Sequence, residues 1–536
     1  MATLNEKLAD SIKSLSQLTG SDGSRRIFKT AEINRTDRER LLGAGYLKEV
    51  MRGWLMTTRP GDREGDTTAW YTSFWEFCRK YLDDRFGSDW TLAAESSAPL
   101  LADNLNVPEQ LIVSSPKANN QNVHLLHDTS LYLLRARSVT PNAIKTAGMR
   151  TPAAPEVLCN VTAAFWEHNK NDVIALLGSI RATSSILTIL LAGGRTVVAG
   201  RIAGAYRILG NARAADDIIS AMQRAGHNVR EDSDPFKAAV SLQFSGTRVV
   251  SPIVSRIRLM WSDMRENVIK AFELEPRTIE DKEQYLAAID DRYASDAYHS
   301  LSIEGYRVTE ELIEKVRNGT WDPDSDEDRE HKNAMAAKGY WDAFQVVRKS
   351  VAGILDGADA AVVAEEQHLN WYRALFQPSL EAGIVKPENL AGYRQHFVGI
   401  RGSSHTPVNW ESVPDAMEAF FECLKNEKDP RIRAILGHFI FTFIHPLPDG
   451  NGRAGRFLMN TMLASAGLPW TIIPVDRRDE YMKALEDASV RSKIEPFARF
   501  VADCTKHEPP PPRRSRPGEK LKEANLDAAS GPTSTP

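Results

Sequence analysis

His445-Pro446-Leu447-Pro448-Asp449-Gly450-Asn451-Gly452-Arg453-Ala454-Gly455-Arg456 is the stretch from which the fold and chemistry of this chain are read. The apolar run AILGHFIFTFI leads directly into it and has the composition of a buried helix. Pro446 and Pro448 stop that helix, because proline lacks an N–H and its ring clashes with the preceding turn. Asp449 to Gly452 predicts a tight turn that exposes successive backbone N–H groups. RFLMNTMLASAG then begins a second apolar helix. A glycine-rich turn at a helix N-terminus attracts anions, since the unpaired N–H groups and the helix dipole both favour negative charge. Arg453 and Arg456 are three apart, share one helical face beside that turn, and together can hold a di- or triphosphate. Asp449 repels a phosphate unless a Mg²⁺ ion lies between them. His445, at the other end of the loop, suits a general base for a hydroxyl nucleophile. Singly, these parts read as a helix-capping histidine and a plain turn. Together they point to nucleotidyl or phosphoryl transfer from a Mg-nucleotide.

The segment resembles the Fic family signature, His-x-Phe-x-Asp/Glu-Gly-Asn-Gly-Arg-x-x-Arg, with Leu447 in place of the usual Phe. The resemblance extends over roughly residues 280–500. It implies a mainly α chain with a helical Fic fold and a β-hairpin flap, transferring AMP from ATP to a Ser, Thr or Tyr hydroxyl of a target protein. It implies that His445 deprotonates that hydroxyl and that Asp449 binds Mg²⁺ bridging the α- and β-phosphates. Gly450, Asn451 and Gly452 are then the anion hole, Arg453 contacts the phosphates and Arg456 holds the γ-phosphate. Attack falls on the α-phosphorus and pyrophosphate leaves, an outcome set by which phosphorus is presented in line. Gly392-Tyr393-Arg394 to Pro407 falls where the family has its target-positioning flap. Phe397 to Ile400, with the polar Gly402 to Pro407 behind it, reads as a β-hairpin able to align a target by edge-strand pairing. Arg478 to Leu485 resembles the segment that closes over the adenine, with Tyr481 as the candidate contact.

Upstream, Ser300-Leu-Ser-Ile-Glu304-Gly305 matches the family's inhibitory motif, Ser/Thr-x-x-x-Glu-Gly/Asn. Ser300 and Glu304 lie four apart on one helical face, and Gly305 can take the left-handed conformation that ends a helix. A carboxylate reaching out from a helix end pairs naturally with an arginine fork, and the resemblance implies Arg456. Glu304 then occupies the place the γ-phosphate needs. The inhibitory helix is expected at about residues 281–305, within a helical Fic domain over 255–505.

Residues 1–60 read as a small winged helix: Asn5 to Leu18, a Gly20 to Ser24 break, IFKTAEI as a short second helix, and a third opened by a capping box at Thr36 and Glu39. Strands at Tyr46 to Met51 and Trp54 to Thr57 follow. Eleven Lys/Arg against seven Asp/Glu leave this module about +4 within a chain of net charge -4. Arg35, Arg38 and Arg40 can face DNA phosphates or simply form a solvated helix face. LLGAGYLKEVMRGWLMTT resembles the N-terminal winged helix of AbiEi-type antitoxins, a likeness extending to about residue 230. Residues 61–250 read as a mixed α+β domain without a catalytic constellation, and residues 506–536, with PPPPRRSRP, as an extended, disordered tail.

The whole chain has 536 residues, 42% hydrophobic and 26% charged, which excludes disorder over most of its length. Four scattered cysteines, Cys78, Cys159, Cys423 and Cys504, make no Cys-x-x-Cys pair and suit a reducing, cytoplasmic location. The partners expected are a target protein and, through residues 1–60, DNA, with a homodimer left open. Three functional readings stand: a self-inhibited AMP transferase using Mg²⁺ and ATP, a DNA-binding antitoxin-like regulator with a nucleotide-sensing Fic unit, and a Fic enzyme that removes AMP or uses another donor.

Overall fold

Helical periodicity dominates the sequence, and the computed structural model is mainly α with a few small sheets. It describes residues 3–19, 25–60, 67–138, 143–238, 240, 251–321, 328–507 and 509. The Gly20 to Ser24 break and nearly all of the expected tail lie outside these residues. The described residues up to 259, with 398–409, form one unit, and those of 260–397 and 410–507 form the other. No single helix among the described residues is long and apolar enough to cross a membrane.

The first unit opens with α1 (Leu4–Thr19), β1 (Ile27–Lys29), α2 (Arg35–Gly43), β2 (Leu47–Met51) and β3 (Trp54–Thr57). The strands form one antiparallel sheet in the order β1-β3-β2. IFKTAEI is not the expected second helix. Ile27 and Phe28 are fully buried and pair across to Met56 and Leu55, so burial and strand pairing decide the conformation, and a single 3-10 turn (Thr30–Glu32) follows. The cap of α2 also differs: Asn34, not Thr36, accepts the Asp37 N–H. Leu15, Phe28, Ile33, Leu41, Leu47 and Leu55 form the core of this small fold.

An aromatic helix, α3 (Thr68–Phe86), follows, then β4 (Thr91–Leu92), β5 (Gln110–Ser115), β6 (Gln121–His124) and β7 (Ser130–Arg135) in a four-stranded sheet ordered β4-β5-β7-β6. β8 (Ile144–Thr146) and β9 (Met149–Thr151) form a separate two-stranded sheet, with β9 against β4. Among the described residues, seven helices, α4 to α10, lie between Ala94 and Arg224. β6 ends at His124, and His127 sits at φ +52° in the turn beyond.

Residues 398–409 correct a further expectation. No strand is present there, so the Phe397 to Pro407 hairpin is absent. The backbone donors are taken by side chains instead: Gly402 N–H donates to Thr68 Oγ1 at 2.7 Å and Thr406 N–H to Asn106 Oδ1 at 3.1 Å. A donor satisfied in this way is lost to a β ladder.

The chain passes into the second unit within α11 (Pro252–Ala271). The elements that matter for the site are α12 (Lys282–Ile303), α13 (Glu310–Arg317), α14 (Asp328–Leu355), α15 (Ala360–Glu381), α16 (Val413–Asn426), α17 (Pro430–Ile444), α18 (Asn451–Ser465), α19 (Arg478–Arg491) and α20 (Glu495–Lys506). α17 and α18 are buried on almost every face, and both carry buried polar side chains within an otherwise apolar surface.

Candidate active site

Asp429 caps α17 by accepting the Arg431 N–H, and the helix ends on His445, whose backbone is left-handed at φ +54°, ψ +57°. A non-glycine residue there carries strain of about 1–3 kcal/mol that the surroundings must hold. His445 Nδ1 lies 3.4 Å from Thr442 O. With the proton on Nδ1 facing that carbonyl, the lone pair is on Nε2. Burial, and then the charge of Arg394, bring the imidazole down to about 4, so it is neutral and able to accept a proton at pH 7.

The loop after His445 is stapled from below. Asn451 Oδ1 accepts the Leu447 N–H and Asn451 Nδ2 donates to Leu447 O, both at 2.9 Å, while the Leu447 side chain is fully buried. The side chain of Asn451 thus holds the loop. What Asn451 can offer an anion is its backbone N–H, one of those a helix start leaves without an intrahelical partner. Gly450 precedes α18 at φ +76°, and a Cβ there would come within 2.8 Å of the Phe376 ring. Asp449 Oδ1 accepts the Gly450 N–H at 2.6 Å, and its Oδ2 lies 3.7 Å from Arg453 Nη2.

Arg453 and Arg456 both rise from the first turns of α18 and are almost wholly buried, yet they have different partners. The Arg453 guanidinium lies 4.8 Å from the Phe376 ring centre and 5.2 Å from that of Tyr306. Arg456 Nε donates to Ser300 Oγ at 2.9 Å, and its Nη2 donates to Ser300 O at 3.1 Å and to Glu304 Oε1 at 2.7 Å. Among the described residues, Arg453 Nε and Arg456 Nη1 are buried without a hydrogen-bond acceptor. Orphan cationic donors beside a helix N-terminus suit phosphate oxygens.

Glu304 is the C-cap of α12, followed by Gly305 at φ +88°. Its carboxylate lies against the first turn of α18, so that a Cβ on Gly452 would overlap Oε1. Burial opposes its ionisation, but Arg456 and then Arg453 prevail and hold the carboxyl below its ordinary value. The structure therefore gathers Ser300, Glu304, Arg453 and Arg456 around the turn that opens α18. One turn back on α12, Asp296 is buried with Tyr340 Oη donating to it at 2.7 Å, and burial pushes it up to about 6.

Tyr481 is placed differently from an adenine contact. It is 1% exposed, packs against Phe497 and Phe500, and its hydroxyl lies 2.7 Å from His438 Nε2. Its ring faces are taken up by the core. No cluster of three or more His, Cys, Asp or Glu able to hold a metal occurs among the described residues. Asp449 is a lone, half-exposed carboxylate, a donor set that fits Mg²⁺ only in company with phosphate oxygens and water. Sequence reasoning missed Tyr306, Phe376 and His438, which act as aromatic or buried neighbours and belong to no spaced motif.

Comparison with known proteins bears on this region. Residues 363–463 match the Fic/DOC family model. The "Protein adenylyltransferase Fic" of Nematostella vectensis is 30% identical over 223 residues, 41% of this chain and 48% of that protein. That of Drosophila virilis is 30% identical over 217 residues, 40% of this chain and 41% of that protein. The chain thus spans about half or less of the length of these relatives. The solved structure "Fic-1 (aa134 - 508) from C. elegans" is 18% identical with a TM-score of 0.34, covering 66% of this chain and 93% of that one. Residues 363–463, with His445, Arg453 and Arg456 among them, are a Fic/DOC domain.

Proposed function

We propose that this chain is a protein adenylyltransferase that moves AMP from Mg-ATP to a Ser, Thr or Tyr hydroxyl of a target protein, and that Glu304 restrains it. The observation that carries this reading is the convergence of a neutral His445, the N-terminal turn of α18 and two buried arginines, with the Glu304 carboxylate already bonded to Arg456. The relatives named as protein adenylyltransferases support the choice of donor and acceptor. Phosphate oxygens would take the Gly452 turn and the orphan N–H groups of Arg453 and Arg456. His445 Nε2 takes the proton from the target hydroxyl as that oxygen bonds to the α-phosphorus. The bond from the α-phosphorus to its bridging oxygen breaks, and pyrophosphate leaves. Asp449 would hold Mg²⁺, which neutralises phosphate charge when bound. Glu304 and a γ-phosphate compete for Arg456, so ATP binds productively only when Glu304 swings away.

The test is the intact mass of purified Glu304→Gly protein after incubation with Mg-ATP. A gain of one AMP is expected, and none in the same protein also carrying His445→Ala. A Glu304→Gly protein that modifies neither itself nor candidate targets refutes the brake. Removal of AMP by the same site would appear as loss of that mass on longer incubation.

DNA binding through residues 1–60 is the second reading, favoured by the β1-β3-β2 sheet behind a basic helix. Arg35 pairs with Glu39, Arg40 with Asp37, and Arg38 Nη1 donates to Thr30 O. Exposed pairs of this kind are weak and exchange for phosphates at little cost. A gel shift that weakens steeply with salt supports this reading, and one absent at low salt removes it.

A further inference from the structure

Arg394 lies beyond the 3-10 turn Pro387–Leu390, in residues that form no regular element, yet it is 2% exposed. Its donors converge on the end of α17. Nε donates to His445 O at 2.7 Å, Nη2 to Ile444 O at 3.3 Å, and the backbone N–H to Pro446 O at 2.9 Å. Nη1 donates to His396 O at 3.1 Å. Three consecutive carbonyls, from Ile444 to Pro446, are thus held by one residue.

A helix end needs this. Its last carbonyls have no intrahelical donor, and proline at 446 removes the N–H that would otherwise continue the chain's own bonding. His445 is also held in a left-handed conformation that a histidine leaves readily unless constrained. A guanidinium suits the task, because its planar fork offers several donors in fixed directions, which a lysine does not. Next to it, the Tyr393 hydroxyl lies 2.9 Å from His368 Nε2 on α15, anchoring the clamp in turn.

We propose that Arg394 is a positioning residue for the transfer reaction, fixing the backbone of His445 so that Nε2 points at the incoming hydroxyl. The proposal rests on the adenylyltransferase reading above. Arg394 bonds the end of α17, whereas the phosphate-binding arginines rise from α18 and are held by Ser300, Glu304, Phe376 and Tyr306. Loss of the fork therefore acts on kcat and spares the affinity for Mg-ATP.

The test compares Arg394→Lys and Arg394→Gln with their parent, the full-length Glu304→Gly protein. Transfer kinetics are read on whichever variant melts within a few degrees of the parent. A misaimed base by about 1 Å lowers kcat by up to ~100-fold, so a 10- to 100-fold loss is expected, with KM for Mg-ATP within twofold. Hydrogen exchange should rise in residues 441–447 and stay unchanged in 453–465. A folded variant with full kcat, or one whose loss lies in KM, overturns the proposal. So does the collapse of both variants, which would make Arg394 a folding residue only. A parent with no transfer activity fails the adenylyltransferase reading itself, and the clamp on the loop is then decided by the exchange data alone.

Discussion

Replacing Glu304 with alanine should make the protein less stable and more active at once. The Arg456 side chain is 4% exposed and that of Glu304 27% exposed, so alanine leaves a buried guanidinium without its counter-charge. Removing one partner of a fully buried pair costs roughly 3–5 kcal/mol. Two features reduce that figure here: water already reaches part of Glu304, and Ser300 keeps two bonds to the guanidinium through Oγ and its carbonyl. A cost of about 2 kcal/mol is the result. For a unit of some 250 residues, 1 kcal/mol moves the melting temperature by ~2–4 °C, so the C-terminal unit should melt about 4–8 °C lower. Mg-ATP should reverse the loss. A ligand at 100 times its Kd adds about 2.7 kcal/mol, and in the variant its γ-phosphate supplies the missing charge without having to displace a carboxylate. Scanning calorimetry with and without Mg-ATP, at one protein concentration, reads both arms, with AMP transfer followed in parallel. The carboxyl lies below its ordinary value in the folded state. Its contribution is therefore complete above that ordinary value and fades as pH falls through the folded one, so the gap between the two proteins should close in acid. Equal melting at pH 7, or an equal gain from Mg-ATP in both proteins, refutes the competition for Arg456.

Asn451→Ala should lower stability by about 2–4 kcal/mol, because the buried N–H and carbonyl of Leu447 both lose their partner. Loss of Mg-ATP affinity at unchanged melting temperature would instead place the Asn451 side chain on phosphate. Gly452→Ala should mimic Glu304→Ala in melting, since the new Cβ overlaps Oε1 and must push the carboxylate off Arg456. In the double variant with Glu304→Gly the further loss should be much smaller, and full additivity would show that the clash is not with Glu304. His445 is held down to about 4, so kcat/KM of the Glu304→Gly protein should stay flat from pH 8 to about 5 and fall only near 4. An inflection near 6.5 would show an ordinary, solvated histidine. The same depression, shared by His438 at about 4, favours the neutral rings in the fold. It adds stability above the unfolded histidine value near 6.5, and acid unfolding should set in as pH falls from there toward 4.

What could be read from the residues in order is what local spacing encodes. Helix geometry puts Ser300 and Glu304 on one face, the family resemblance implies Arg456 as their partner, and the structure brings the three within bonding distance. The helices of the C-terminal unit were legible for the same reason, since an apolar stripe at a period of 3.6 marks a helix wherever it occurs. Reading failed where a distant partner decides. Ile27 and Phe28 are as acceptable in a helix as in a strand, and Met56 and Leu55 settle the matter from almost thirty residues away. The short apolar Phe397 to Ile400 with the polar Gly402 to Pro407 behind it reads as a hairpin, but Thr68 and Asn106 take two of the donors that would have paired. The resemblance places Asn451 in an anion hole without saying which of its atoms serves; the fold uses both of its side-chain polar atoms on Leu447 and leaves the backbone N–H for that role. Arg394 is the extreme case. Its bonds to the end of α17 go to backbone carbonyls, and every residue has one, so no residue type at any spacing could point to them. A side chain that recognises side chains leaves a pattern in two places, whereas one that recognises backbone leaves it in one. Residues that aim a catalytic group through its main chain are therefore the part of an active site that sequence conceals best, and three-dimensional structure is where they first come into view.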